Sequence, residues 1–496
     1  MKIIYTKKSI VKKLLIILEQ KKSAGINDKK NEENPFKKLE TKESINLNDE
    51  NKIGAKENKI LQEEFMQGKK QIDEDHLFEK IESKEINNTN INNNTTTKKK
   101  PAYYQKLVKS IAQAGQKQME INIEEEIAND ELYKKYFIPG SITSSVQVLR
   151  SSGEWSAGLK KTEMSILKAY YDLIENSKPY IYIENQFFIS KAWTNEEKRK
   201  CPYFLNDLVK NEIALYLRKR VEKAYKNKEN FKIFVFLPLL PGFDGEPENS
   251  RTIQVILKHT YASICRNYGL SIIEQLKKVM GEQWKNYIGF YGLRNHALVN
   301  NVPKTELLYI HSKLMIIDDT KVLIGSANIN DRSMLGKRDS EFAVLIKENK
   351  AVTNKKTGKN FIMDGKPYRA AHYAYSFRKN LMAEHLGLNS DDPILDDPVD
   401  NKLFELINSR AKNNTLIYRQ LFQCYPDDTF TSYKILNQTR KNKEKEKPEV
   451  FLENYLKNKD NIIGHIVEFP LLFLNQEELG DIHFTKENLV TEYNFT

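Results

Sequence analysis

The sequence predicts an α/β fold with α-β-α layers and a mixed sheet, preceded by a disordered N-terminal region. Three observations support this. From about residue 136, short apolar strands alternate with amphipathic helices. Residues 1–100 are instead dominated by Lys, Glu, Asn and Asp. Hydrophobic residues make up 40% of the 496 residues, with 23 Phe and 25 Tyr, which is enough for a large core.

Composition divides the chain into four segments. Residues 1–100 end in an Asn- and Thr-rich tract that cannot bury enough apolar surface to fold, so we predict a disordered low-complexity region. We predict a helical linker over 101–135. Residues 136–350 hold the strand and helix alternation of the main lobe. Residues 351–496 are predicted to be a helical and irregular extension of the same domain.

Apolar periodicity predicts the elements of the main lobe. Met164, Leu167, Tyr171 and Ile174 recur at helical spacing and predict a helix over 162–177. The other predicted elements are strands at 146–150, 180–190, 231–240 and 341–348, and helices at about 203–226 and 253–269.

Charge and cysteine content narrow the classes of partner and compartment. Lys and Arg outnumber Asp and Glu by 79 to 67, which favours anionic partners, although a Lys-rich solvated surface explains the excess equally well. The three cysteines are widely spaced, which excludes a disulfide scaffold and fits a reducing compartment. No apolar run approaches the roughly 18 residues of a membrane span. We interpret the N-terminal segment as a short amphipathic helix rather than a signal peptide.

A predicted β-hairpin at 306–327 carries the most informative residues. Its turn is expected at Asp318-Asp319-Thr320. His311 and Lys313 are two residues apart, so on a strand they share a face. An anionic ligand explains this pairing: Lys313 would neutralise phosphate oxygens, and His311 would attack phosphorus or protonate the leaving oxygen. Asp318 is better placed to brace the loop than to react.

The return strand and the strand after it add neutral donors and a carboxylate. Gly325 allows close approach of the backbone, and Ser326 and Asn328 offer donors to phosphate oxygens. Glu341 opens the next strand, where it could hold one ring nitrogen of a histidine. A lone His-x-Lys pair is common by chance. The complete string at these spacings points to a phosphotransfer site.

This string resembles the second HKD motif of the phospholipase D superfamily, HxKxxxxD followed by GSANxNxRS. It is most similar to that of the eukaryotic phosphatidylcholine-hydrolysing phospholipases D. The similarity extends from about residue 136 to the C-terminus. Segments that carry it include VQVLRSSGEWSAG (146–158), YIYIENQFFIS (180–190), LPLLPGFDG (237–245), GLRNHA (292–297), EHLGL (384–388) and GHIVEFPLLFL (464–474).

The resemblance implies a role for each candidate residue. His311, Lys313 and Asp318 form the catalytic motif of a phospholipase D-type lobe over 136–350, with His311 as general acid and base. Ser326 and Asn328 would bind phosphate, and Glu341 would orient a histidine ring. For Glu184, a place near the pocket and a purely structural role are equally favoured. The resemblance implies no metal and no other cofactor.

One departure from the family pattern is decisive. The family has two HKD motifs, one per lobe, whereas His311 alone among the eight histidines is followed by Lys at the second position and Asp at the seventh. The family histidine that forms the phosphohistidine is therefore unmatched. A homodimer or a separate first-lobe chain would complete the site. Alternatively, the chain is a fragment of a longer protein or an inactive lipid-binding remnant.

The expected function is hydrolysis of phosphatidylcholine to phosphatidate and choline through a phosphohistidine. We expect a cytoplasmic, peripheral membrane protein whose partners are a phospholipid surface and, through its basic side chains, an anionic phosphoinositide. A dimeric nuclease of the same superfamily is the rival enzyme. The extended similarity to the lipid-cleaving branch argues against nucleic acid as a partner.

Overall fold

One mixed sheet of ten strands organises the part of the chain that the computed structural model describes, residues 144–201, 208–354, 357–443 and 447–479. The disordered region predicted at 1–100 and the linker predicted at 101–135 lie outside these residues. The ten strands of this sheet are β1 (Ser145–Ser152), β2 (Glu163–Met164), β3 (Tyr180–Asn185), β4 (Lys232–Phe236), β5 (Ile288–Val299), β6 (Val302–Leu307), β7 (Lys313–Ile317), β8 (Lys321–Gly325), β9 (Glu341–Lys347) and β12 (Ile466–Glu468). The strands β10 (Ile362–Met363) and β11 (Lys366–Pro367) form a separate two-stranded sheet.

Helices flank this sheet. The α-helices are α1 (Glu154–Ala157), α2 (Ser165–Glu175), α3 (Asn195–Arg199), α4 (Ile213–Asn227), α5 (Arg251–Ile264), α6 (Ile272–Met280), α7 (Asp331–Met334), α8 (His372–Leu386), α9 (Asn401–Phe422), α10 (Tyr433–Lys443) and α11 (Pro448–Asn458). Short 3-10 turns lie at Gly281–Asn286, Pro393–Leu395 and Lys459–Asn461. None of the helices in the described ranges combines the length and apolar character needed to cross a membrane.

The strand order is β12-β5-β4-β3-β7-β8-β9-β1-β2, with β6 paired to β5. The pairs β3–β4 and β4–β5 are parallel, and the other pairs in this sheet are antiparallel. The central strands β3, β4 and β7 are buried along their whole length, because helices cover both of their faces.

Two apolar clusters lie on opposite faces of the sheet. The first joins Ile183 of β3 and Met315 of β7 to helices α2, α4, α5 and α6. The second joins Tyr182 of β3 and Leu314 of β7 to α8 and the first half of α9. This arrangement confirms the predicted α/β fold with a mixed sheet between helical layers.

Some element boundaries differ from the prediction. Residues 203–207 of the helix predicted at 203–226 lie outside the described residues. From 208 onward the helix begins at Ile213, because the N–H groups of Lys210 and Asn211 donate to the Asp331 carboxylate instead of continuing a helix. The hairpin predicted at 306–327 is confirmed for β7 and β8, but its first residues belong to β6, which pairs with β5. The C-terminal segment supplies β12, an edge strand of the same sheet.

Candidate active site

The predicted site residues Lys313, Ser326 and Glu341 meet at one edge of the sheet. Lys313 opens β7 and pairs with Asn185 at the end of β3. Ser326 directly follows β8, and Glu341 opens β9, where its partner across the sheet is Ser151 at the end of β1. Antiparallel pairing thus brings the end of one strand to the beginning of the next.

Lys313 is buried at this edge, with 8% of its surface exposed. Its ammonium donates to Oε1 of Gln186 at 2.7 Å and to the carbonyl oxygen of His311 at 2.6 Å. Burial lowers the pKa of Lys313, and the nearby charge of Glu341 opposes that shift. An ammonium has three N–H donors, so the third can serve an anionic oxygen.

His311 is exposed, with its ring beside that of Tyr309 at 6.3 Å between centroids. The Tyr309 hydroxyl accepts a hydrogen bond from Nε2 of Gln186 at 2.8 Å. The ring of Tyr309 also packs against Gly242, where an added Cβ would lie 2.7 Å from it. Sequence reasoning missed Gln186 and Tyr309, although they lie within the segments 180–190 and 306–327 that it had singled out.

Asp318 does not join His311 and Lys313. It lies five residues beyond Lys313, roughly 17 Å along an extended strand, in the turn between β7 and β8. Its carboxylate accepts the N–H groups of Lys178 at 3.0 Å and Tyr180 at 3.3 Å. Burial raises the pKa of Asp318 to about 6. Its contacts therefore hold the far end of the strand, in keeping with the bracing role expected from its place in the turn.

Glu341 contacts hydroxyl groups. Ser326 donates a hydrogen bond to Oε2 of Glu341, and Ser333 donates to Oε1 at 2.5 Å. The Ser326 hydroxyl also accepts the N–H of Phe342 at 3.1 Å. The suggestion that Glu341 holds a histidine ring is not what the structure shows, because both carboxylate oxygens bind serines, one of which arrives on α7.

Asn185 fixes the loop that carries Asn328. Asn185 is fully buried, and its Oδ1 accepts the N–H groups of Phe187 and Ile329, both at 3.1 Å. The side-chain oxygen of Asn328 is buried without a hydrogen-bond partner among the described residues. Among the described residues, the Asn328 side-chain oxygen therefore contributes no hydrogen bond to the stability of the fold.

Glu184 lies on the opposite face of the sheet from Lys313. The histidine–carboxylate contact found in this region belongs to Glu184 and His385, with Nε2 of His385 at 3.1 Å from Oε1. Glu184 also accepts a hydrogen bond from Ser312 at 2.6 Å. It therefore reaches the site through Ser312 rather than by lining the Lys313 side.

An apolar strip borders the site. We define it as the outward side chains of β1 and β9, chiefly Val148 and Phe342, which are 58% and 54% exposed. Val344 pairs with Val148 on the neighbouring strand and is half-buried. Phe342 directly follows Glu341 on β9, so the strip lies at the same end of the strand as the site, but its side chains project from the opposite face.

The side chains at this edge can bind an anionic group. No three His, Cys, Asp or Glu residues within the described ranges are grouped as metal ligands would be. A desolvated ammonium, an exposed imidazole and a serine hydroxyl lie around one sheet edge. Together they can bind an anionic oxygen and transfer a proton.

Comparison with known proteins gives the family. The family described as Phospholipase D matches residues 58–429. Phospholipase D1 of Mus musculus is 41% identical over 363 residues, 72% of this chain and 32% of that protein. Phospholipase D1 of Homo sapiens is 42% identical over 364 residues, again 72% of this chain and 32% of the relative. This chain thus spans less than half the length of both relatives.

Among solved structures, NucT from Helicobacter pylori is 14% identical and aligns over 42% of this chain and 87% of its own. Its TM-score of 0.23 is too low to bear on the site. The family match covers most of the described sheet, including β7 and β9, which begin at Lys313 and Glu341, and the segment before β7 that carries His311. The chain belongs to the phospholipase D family.

Proposed function

We propose that this chain supplies one half of a phospholipase D active site and hydrolyses phosphatidylcholine to phosphatidate and choline once a second half is present. The observation that carries the proposal is the meeting of Lys313, exposed His311 and Ser326 at one sheet edge. We further propose that the protein works as a peripheral protein on the cytoplasmic surface of a phospholipid membrane, with an anionic phosphoinositide as an additional contact.

The proposed reaction has two steps. A histidine of the second half attacks phosphorus, so a nitrogen–phosphorus bond forms as the bond to the choline oxygen breaks. His311 donates the proton that choline takes away. Water then attacks phosphorus, His311 accepts its proton, and the nitrogen–phosphorus bond breaks to release phosphatidate. Lys313 and Ser326 would stabilise the charge on the phosphoryl oxygens throughout.

Two observations support the need for a second half, one from the sequence and one from the surface of the protein. His311 is the one histidine in the chain within an HxKxxxxD pattern, so the nucleophile has to come from elsewhere. General acid–base assistance is worth only roughly 10²–10⁴ in rate. The apolar strip beside the site offers a surface on which a partner half would pack, and we propose a second copy of this chain or a separate first-lobe chain as the partner.

The test is choline release from phosphatidylcholine vesicles, measured against protein concentration. Ethanol in the same assay should divert the intermediate to phosphatidylethanol. His311→Ala should abolish both products. Cleavage of plasmid DNA in place of lipid would favour the nuclease, and lipid binding without turnover under every condition would favour a non-enzymatic role.

A further inference from the structure

A buried carboxylate lies beneath the segment that carries His311 and Lys313. Glu184 is 6% exposed on β3. Its side chain points toward α8 and α9, because Tyr182, two residues earlier on the strand, packs in that apolar cluster. Lys313 projects to the other face, as does Met315 two residues later. The carboxylate and the ammonium are therefore separated by the sheet.

Ser312 connects the two faces. Its hydroxyl donates to Oε2 of Glu184 at 2.6 Å. Ser312 lies between His311 and Lys313 in sequence, so this bond holds the backbone from which both side chains project. A hydrogen bond to an ionised carboxylate is roughly twice as strong as one between neutral groups. The bond is thus well suited to fix a segment that lies outside regular strand structure.

Two side chains hold Glu184 in turn. The Tyr182 hydroxyl donates to Oε1 at 2.5 Å, and Nε2 of His385 lies 3.1 Å from the same oxygen. His385 is on α8, and its carbonyl oxygen accepts the N–H of His465 at 2.9 Å. Burial alone would raise the pKa of Glu184. Hydrogen bonds from His385, Ser312 and Tyr182 outweigh it, so the pKa is lowered and the group stays ionised.

We infer that Glu184 is a positioning residue that acts through Ser312 to set the directions in which His311 and Lys313 are presented. His385 and Tyr182 orient the carboxylate. The inference rests on the proposed phosphodiester chemistry for its functional meaning, but the positioning itself can be measured without substrate.

Hydrogen exchange of the peptide covering residues 308–316 measures the positioning directly. Ser312→Ala removes the hydroxyl, so we expect local opening and exchange that is about tenfold faster or more, at unchanged global stability. Glu184→Gln should act in the same direction. Ser312→Thr keeps the hydroxyl and should exchange as the wild type does. Ser177→Ala is the matched control, because it removes a buried hydroxyl that lies between α2 and the start of β3 and donates to the carbonyl of Ile174.

Tungstate, an inorganic phosphate analogue, supplies the functional readout. Ser312→Ala should weaken tungstate binding by about 5–10-fold, and adding Glu184→Gln should weaken it no further, because the two act through one contact. Unchanged exchange over 308–316 in Ser312→Ala overturns the inference, whatever the tungstate affinity. Faster exchange in a protein whose wild type binds no tungstate would retain the positioning and remove the phosphate pocket of the proposed function.

Discussion

The ammonium of Lys313 donates a 2.7 Å hydrogen bond to the side-chain oxygen of Gln186. The side-chain nitrogen of Gln186 donates a hydrogen bond to the Tyr309 hydroxyl at 2.8 Å. Since the Tyr309 ring lies beside His311, one amide side chain ties the lysine to the neighbour of the histidine. The geometry of the two proposed reacting groups is therefore coupled through a residue that reacts with nothing.

Removal of the Gln186 amide tests this coupling. In Gln186→Leu the buried ammonium loses an acceptor, and a hydrogen bond to a charged group is worth roughly 1.5–3 kcal/mol. We expect tungstate affinity, measured by calorimetry, to fall about tenfold, and Lys313→Ala to lower it further. Gln275→Leu is the control, because it removes a buried amide on α6, away from the site. Wild-type affinity in Gln186→Leu would show that Gln186 does not orient Lys313.

The raised pKa of Asp318 predicts that the stability of the protein depends on pH. Its pKa of about 6 lies above the ordinary value of 3.8, because burial disfavours the charged form. The folded protein therefore holds this proton at pH values where the unfolded chain has lost it. The contribution of Asp318 to the free energy of unfolding should therefore be greatest below its pKa in the unfolded chain. That contribution should decline as the pH rises from about 4 to about 6.

Asp318→Asn should remove that component of the decline. Asparagine keeps an oxygen for the N–H groups of Lys178 and Tyr180 and tolerates the left-handed backbone at this position. The shift corresponds to a gain of up to about 3 kcal/mol at neutral pH. Melting temperatures of both proteins across pH 4–7 check this, with exposed Asp391→Asn as control. Parallel curves for wild type and Asp318→Asn would refute the assignment.

A deeply buried ion pair includes Asp319 of the same turn. Arg378 on α8 and Asp319 are 0% and 1% exposed, with 2.6 Å between Nη2 and Oδ2. Arg378→Met should destabilise the protein by about 3–5 kcal/mol in urea titrations, because it leaves a buried carboxylate unpaired. Arg332→Met breaks a more exposed pair with Asp339 and should cost less than about 1 kcal/mol. Similar losses in the two variants would contradict this reading.

The sequence predicted the positions of those residues whose location depends on the local sequence pattern. The hairpin of β7 and β8 follows from alternation and its turn, and its pairing places Lys313 and Ser326 at the same end of the two strands. Sequence reasoning missed contacts between distant parts of the chain. His385 reaches Glu184 across 201 residues, and Gln186 reaches Lys313 across 127. The first contact depends on the packing of α8 against β3 and the second on the pairing of β3 with β7, and periodicity alone reveals neither.

The same limit explains two differences between the prediction and the structure. Glu341 was proposed to hold a histidine ring because it opens a strand near His311, whereas the short helix α7 brings Ser333 to it. The apolar pattern of 203–226 is typical of a helix. The observed helix begins at Ile213, because the N–H of Asn211 donates to the carboxylate of Asp331, 120 residues away in the sequence.

The apolar strip leads to the last prediction, which concerns assembly. Burial of a valine or phenylalanine side chain contributes roughly 1.5–3 kcal/mol. If a second copy packs on the strip, Val148→Asp should raise the protein concentration needed for half-dimerisation at least about tenfold. Choline release should fall with the dimer fraction. His311→Ala should abolish release and leave dimerisation unchanged. Val450→Asp places the same charge on an exposed valine of α11 and should alter neither property. Sedimentation and choline assays on the same samples decide the matter, and a folded monomer without turnover at any concentration would contradict the homodimer.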